Sequence, residues 1–120
     1  MYNVDANLGK KRVEVTSEGA HDHDMDEFVE KVKEAALHVL KQHDHFDILT
    51  DLSQAITLQQ DRTQATTDLL EWCHKNGLRK SANVVGTLVQ KMQINRISGQ
   101  SEKVASFTSK AEAERWLDEE

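Results

Sequence analysis

Phe46–Arg62, FDILTDLSQAITLQQDR, decides how this chain is read. It opens with a compact apolar run of Phe46, Ile48, Leu49 and Leu52, interrupted by Asp47, Thr50 and Asp51. Apolar residues on both parities suit a strand covered on both faces, as in the middle of a sheet flanked by helices. The run closes at Asp51-Leu52-Ser53, and a polar helix is expected to begin near Gln59–Arg62. One buried strand therefore delivers the chain to an exposed loop and then to a helix N-terminus. In open α/β sheets, ligands and partners usually bind at that edge.

Working outward toward the N-terminus, Met1 to Ala6 and Lys11 to Glu18 each alternate apolar and polar residues. Between them Asn7-Leu8-Gly9-Lys10 reads as a turn, with glycine available for a positive φ. The two runs form an expected β-hairpin with one wet face, on which Arg12, Glu14 and Thr16 lie opposite Val13 and Val15. From Met25 the period lengthens. Met25, Phe28, Val29, Val32, Ala35, Ala36, Val39 and Leu40 make one helical stripe, with Asp24 as its candidate N-cap.

On the C-terminal side, Arg62 to Asn76 reads as a second helix with Ala65, Leu69, Trp72 and Cys73 inward, stopped by Asn76-Gly77. Arg79 to Gly86 is a second buried strand. Gly86-Thr87 is expected to open a third helix that ends at Ser98-Gly99. Glu102 to Phe107 forms a last strand, and the capping box Ser109-Lys110-Ala111-Glu112 starts a final helix seated by Ala113, Trp116 and Leu117. The order ββαβαβαβα predicts one α/β domain over 1–120, with four helices. Its sheet should be mixed and largely parallel, with the N-terminal β-hairpin at one edge.

Composition narrows the function classes. The 120 residues carry a formal net charge of −6, which argues against a surface that tracks nucleic-acid phosphates or anionic membranes. No apolar run approaches the length of a membrane span, and Cys73 is the only cysteine, so a reducing cytoplasm is the expected compartment. There is no proline, and all five glycines fall between periodic segments.

FDILTDLS, KSANVVGTLVQKMQINRIS and VASFTSKAEAERWL, together with the element order, resemble the SpoIIAA-like branch of the STAS superfamily. STAS domains occur in bacterial anti-sigma-factor antagonists and at the cytoplasmic ends of sulfate transporters. The resemblance covers nearly the whole chain. In antagonists, Asp-Leu-Ser ends the strand and Asp-Ser-x-Gly starts the next helix, where a kinase phosphorylates the serine and the added charge releases a partner. Here Asp51, Leu52 and Ser53 are kept, but Gln59, Gln60, Asp61 and Arg62 stand where Asp, Ser, Ser and Gly would fall. The usual phospho-switch is therefore not expected; Asp61 reads either as a fixed negative charge near that place or as a solvated carboxylate of the helix's first turn.

The remaining chemistry is sparse. His21-Asp22-His23-Asp24 and His43-Asp44-His45 look like ligand clusters, but they sit at opposite ends of the first helix, roughly 30 Å apart at 1.5 Å per residue. Neither pair has an evident third ligand, so solvated turns are the expected reading and no metal or cofactor is expected. His38 lies off the apolar stripe. Cys73 and His74 are helix neighbours about 100° apart and cannot pair as nucleophile and base. No phosphate loop, catalytic triad order or paired-carboxylate signature is present, so no catalytic residue is assigned.

The expectation is a non-enzymatic, cytoplasmic regulatory module that binds a protein partner, a second copy of the chain included. Its candidate surface joins Ser53, Gln59, Gln60, Asp61 and Arg62 to Gly86, Thr87 and Lys91 of the next strand-to-helix junction. The alternative is a carrier of a small apolar or anionic, lipid-like ligand, since the SpoIIAA-like branch also resembles CRAL-TRIO lipid-transfer domains.

Overall fold

The structure is a computed structural model, and it describes residues 2–19, 25–55, 63–87, 92 and 103–119. Five strands form one sheet in the order β1-β2-β3-β4-β5: Tyr2–Asn7, Arg12–Gly19, Phe46–Ala55, Leu78–Val85 and Val104–Phe107. β1 and β2 pair antiparallel as the expected hairpin, and β2-β3, β3-β4 and β4-β5 all pair parallel. The runs read as strands from Phe46, over Arg79–Gly86 and over Glu102–Phe107 give β3, β4 and β5, which are neighbours with β4 in the middle.

Three helices are described: α1 (Met25–Leu40), α2 (Thr63–Lys75) and α3 (Lys110–Asp118). Most of the helix expected after Gly86 lies outside the described residues, apart from Met92, which is helical. The candidate cap Asp24 lies outside them too. Ser109 caps α3 as expected, its hydroxyl accepting from the Glu112 N–H at 3.4 Å. Gly77, with φ 112°, takes the left-handed position after α2 that a side chain would resist.

Alternation along β3 splits the core in two. Phe46 and Ile48 face α1 and α2, where they pack with Val13, Val15, Val32, Ala36, Val39, Leu69, Cys73 and Leu78. Leu49 faces the other way, into a second cluster with Ala82, Val84, Ala113 and Leu117. Phe107 and Trp116 close that cluster with ring centroids 5.6 Å apart. α1 and α2 cover the same face because consecutive right-handed crossovers advance in one direction across the sheet. α3 leaves the last strand and covers the other face.

Two local expectations need correction. In the hairpin turn the left-handed residue is Lys11 (φ 57°), not Gly9. The turn closes by Lys11 N–H to Leu8 C=O, and Asn7 Oδ1 accepts from Lys10 N–H, which moves the reversal to the last loop residue. Arg12 does lie opposite Val13, but it is not wet: it is 3% exposed, because the end of α3 reaches over it.

Candidate functional site

β4 ends at Val85, which pairs with Leu52, while β3 runs on beside β2 to Ala55. One step further along, Ser53 and Gly86 meet. A Cβ on Gly86 would come within 2.8 Å of the Ser53 carbonyl oxygen, so only glycine fits without a shift of backbone. The Val-Gly junction of the sequence is thus a steric requirement of this edge.

Asp51 shapes the same corner. Its Oδ1 accepts the Ser53 N–H at 3.0 Å and the Ser53 Oγ–H at 2.6 Å. The contact lies at a bulge within β3, where Leu52 and Ser53 together stand against Ser17 of β2 before pairing resumes at Gln54, and the Asp51 carboxylate takes up polar groups at that irregularity. The Ser53 hydroxyl proton is committed to a carboxylate, and Asp51 and Ser53 are both half-buried. Thr87 is exposed beside them.

β5 extends this edge. Asp51, Val84 and Phe107 form one cross-strand row, so Ser53, Gly86 and Ser109 each lie two residues beyond it. β5 ends at Phe107 in this row, and Thr108 and the α3 cap Ser109 follow it out of the sheet. Thr108 and Ser109 were not among the expected site residues. Their signal was the strand register, which sequence spacing does not provide. Of the expected residues, the structure brings Ser53, Gly86 and Thr87 together, while Gln59, Gln60, Asp61, Arg62 and Lys91 lie outside the described residues.

The opposite edge of the sheet is occupied by an ionic lock. The β3-β4 register shifts between Phe46 and Ile48, so both Arg79 and Lys80 stand against Asp47. Arg79 binds the Asp47 carboxylate by two hydrogen bonds and also donates to the Leu117 and Glu119 carbonyls. Lys80 donates to the Trp116 and Glu119 carbonyls at 2.9 and 3.0 Å and lies over the Trp116 ring. Arg12 reaches Asp118 at 2.8 Å. Arg79 and Lys80 satisfy the last carbonyls of α3, Arg12 binds its Asp118 side chain, and all three meet the negative end of its dipole. Their role is to fix α3 on the sheet.

The histidines are local. His43 Nε2 lies 3.2 Å from the Leu8 carbonyl, and His45 Nδ1 lies 2.8 Å from Asp44 Oδ1. That contact with His45 holds the Asp44 carboxyl below its ordinary range. His21 and His23 lie outside the described residues. Among the described residues, no group of three or more His, Cys, Asp or Glu side chains is placed to hold a metal ion. No described helix is long and apolar enough to cross a membrane. Burial pushes the Cys73 thiol up to about 12, consistent with a small core residue.

Neither known protein families nor curated proteins match the sequence. Among solved structures, the chain is similar to a crystal structure of an uncharacterized protein of the DUF3478 family with a SpoIIAA-like fold, from Shewanella loihica. The TM-score is 0.67 at 13% identity, covering 98% of this chain and 92% of the other. At that identity the likeness establishes the fold. The chain has a SpoIIAA-like α/β fold, as its residues suggested.

Proposed function

We propose that this SpoIIAA-like domain is a non-enzymatic regulatory module that recognises a protein partner through the carboxyl edge of its sheet. The observation that carries the reading is the corner built by Asp51, Ser53 and Gly86. A side-chain acceptor braces the bulge in β3 where β4 ends, and the missing Cβ at Gly86 lets the backbone leaving β4 close onto the Ser53 carbonyl. Such a preorganised edge loses little conformational freedom when a partner docks. The exposed Thr108 hydroxyl suits hydrogen bonding to a peptide backbone or polar side chain, whereas the Ser53 and Ser109 hydroxyls are engaged by Asp51 and by the cap of α3.

The opposite edge is taken up by Arg12, Asp47, Arg79, Lys80 and Asp118, whose charges are spent on one another and on α3. The family-type serine switch has no serine at positions 59 to 62. Asp61 instead supplies constant charge after β3, so regulation here acts through partner availability rather than phosphorylation at that place.

The test is affinity enrichment from the source cell with wild type, Asp61→Lys and Ser53→Ala, followed by titration of the recovered partner. Asp61→Lys should change affinity by about tenfold, corresponding to roughly 1.4 kcal/mol, and Ser53→Ala by less. Equal affinity for all three would move the binding surface elsewhere.

A further inference from the structure

We propose that the free edge of β1 joins two copies of this chain into one continuous sheet. The inference goes beyond the carboxyl-edge reading and uses a different surface. Its basis is the direction of the backbone groups. The Asp47 N–H donates to the Lys11 carbonyl at 2.9 Å. In a parallel ladder, residues 11, 13 and 15 then turn their backbone groups toward β3, and residues 12, 14 and 16 turn theirs toward β1.

Across the hairpin, Arg12 pairs with Asn7, Glu14 with Asp5 and Thr16 with Asn3. Those three β1 residues therefore spend their N–H and C=O groups on β2. Tyr2, Val4 and Ala6 aim theirs outward, and no described strand pairs with them.

Among the described residues, β1 keeps one of the usual protections of an edge strand, the charge of Asp5, and lacks the others. β1 has six residues in unbroken register with β2, without lysine, proline or bulge. The opposite edge strand, β5, is only four residues long. Beside β1 runs an open groove lined by Val4, Ala6, Lys31, Glu34, Ala35 and His38, which leaves room for another strand next to α1. Its rim carries charges of both signs.

Self-pairing is tightly constrained. Outward-facing residues must meet outward-facing residues, so only even sums of the two paired positions are allowed. A sum of eight sets Val4 against Val4 of the second copy and Tyr2 against Ala6, using all three outward residues. It also sets Asn3 opposite Asp5 of the second copy, where the amide can donate to the carboxylate. Within one chain the same two groups already bond at 2.8 Å. A sum of ten would place the two Asp5 carboxylates face to face, and a sum of six would lose an outward pair. Charge and hydrogen bonding select the same register, and that register has two-fold symmetry.

Light scattering during size-exclusion chromatography at high micromolar concentration should give wild type twice the 13.6 kDa chain mass. Val4→Pro removes only an outward N–H, which an edge strand tolerates. It should weaken the dimer by about tenfold or more while far-UV circular dichroism is unchanged. Mixing Asn3→Cys with Asp5→Cys under mild oxidation should give about tenfold more covalent dimer than either variant alone, because the facing positions are unlike. The native Cys73 is buried and does not compete. A wild type of single-chain mass throughout would overturn the proposal. So would a dimer that folded Val4→Pro leaves intact, or covalent dimer formed as readily by Asp5→Cys alone as by the mixture. If Val4→Pro does not fold, the cross-linking ratio decides alone.

Discussion

Arg79 grips Asp47 with two nitrogens, Nε to Oδ1 at 2.9 Å and Nη2 to Oδ2 at 2.7 Å, at the start of two neighbouring parallel strands. Asp47 is 2% exposed, and that fork engages both of its carboxylate oxygens. The same guanidinium reaches the Leu117 carbonyl, and through this one side chain the sheet holds the end of α3. Removing one partner of a buried pair leaves the other charge without compensation. Arg79→Ala should therefore destabilise the fold by about 3 kcal/mol, measured by urea unfolding. Arg79→Lys should recover little of the loss, because a point charge cannot replace the two-pronged fork.

Gly86→Ala should cost stability for a different reason. The new Cβ would meet the Ser53 carbonyl oxygen at 2.8 Å, and that oxygen is backbone that cannot swing aside. A loss of about 1–3 kcal/mol is expected, with the backbone displaced within β3 and at the end of β4. Amide chemical shifts at Ser53 should move more than those at Val13.

Much of this fold could be read from residue order. The parity of Phe46, Ile48 and Leu49 announced a strand buried on both faces, and the two core clusters divide along that parity. Helix α1 followed from its stripe, and Ser109 marked the start of α3. What escaped the sequence depends on contacts between distant positions. Arg12 looked solvent-facing by alternation, yet Asp118, 106 residues later, pairs with it. Asp47 looked like an interruption of an apolar run until the register brought Arg79 beside it. At the candidate site, Gly86 was legible from its place just after β4, but Ser53 was expected to close its strand and instead lies inside β3, which pairs with β2 as far as Ala55. Thr108 and Ser109 were not legible, because only the β4-β5 register puts them at the same edge.

His74 gives the stability a pH dependence of defined sign. Burial lowers its pKa below the ordinary 6.5, and the Lys103 charge lowers it further. The unfolded chain therefore takes up this proton first as pH falls. Stability from this residue is full above about 6.5 and is lost as pH drops from there through the lowered folded value. His74→Gln should flatten that part of the profile, followed as melting temperature against pH. An unchanged slope would remove His74 from the account.

Cys73 should be silent in the native protein. Its thiol is fully buried and pushed up to about 12, so almost no thiolate exists near neutral pH. A chromogenic disulfide reagent should react at least about a hundredfold more slowly with the folded chain than with the chain unfolded in guanidinium. Rapid native labelling would mean that α2 opens readily from the sheet.

The central claim is that partners dock at the carboxyl edge of the sheet, and in-cell photo-crosslinking tests it most directly. A benzophenone amino acid would replace Thr87 at that edge or Gln42 beyond the end of α1, two exposed positions at opposite ends of the strands. The account predicts a discrete protein adduct from position 87 that Asp61→Lys diminishes, and none of that mass from position 42. Adducts of equal yield from both positions, or from position 42 alone, would contradict it.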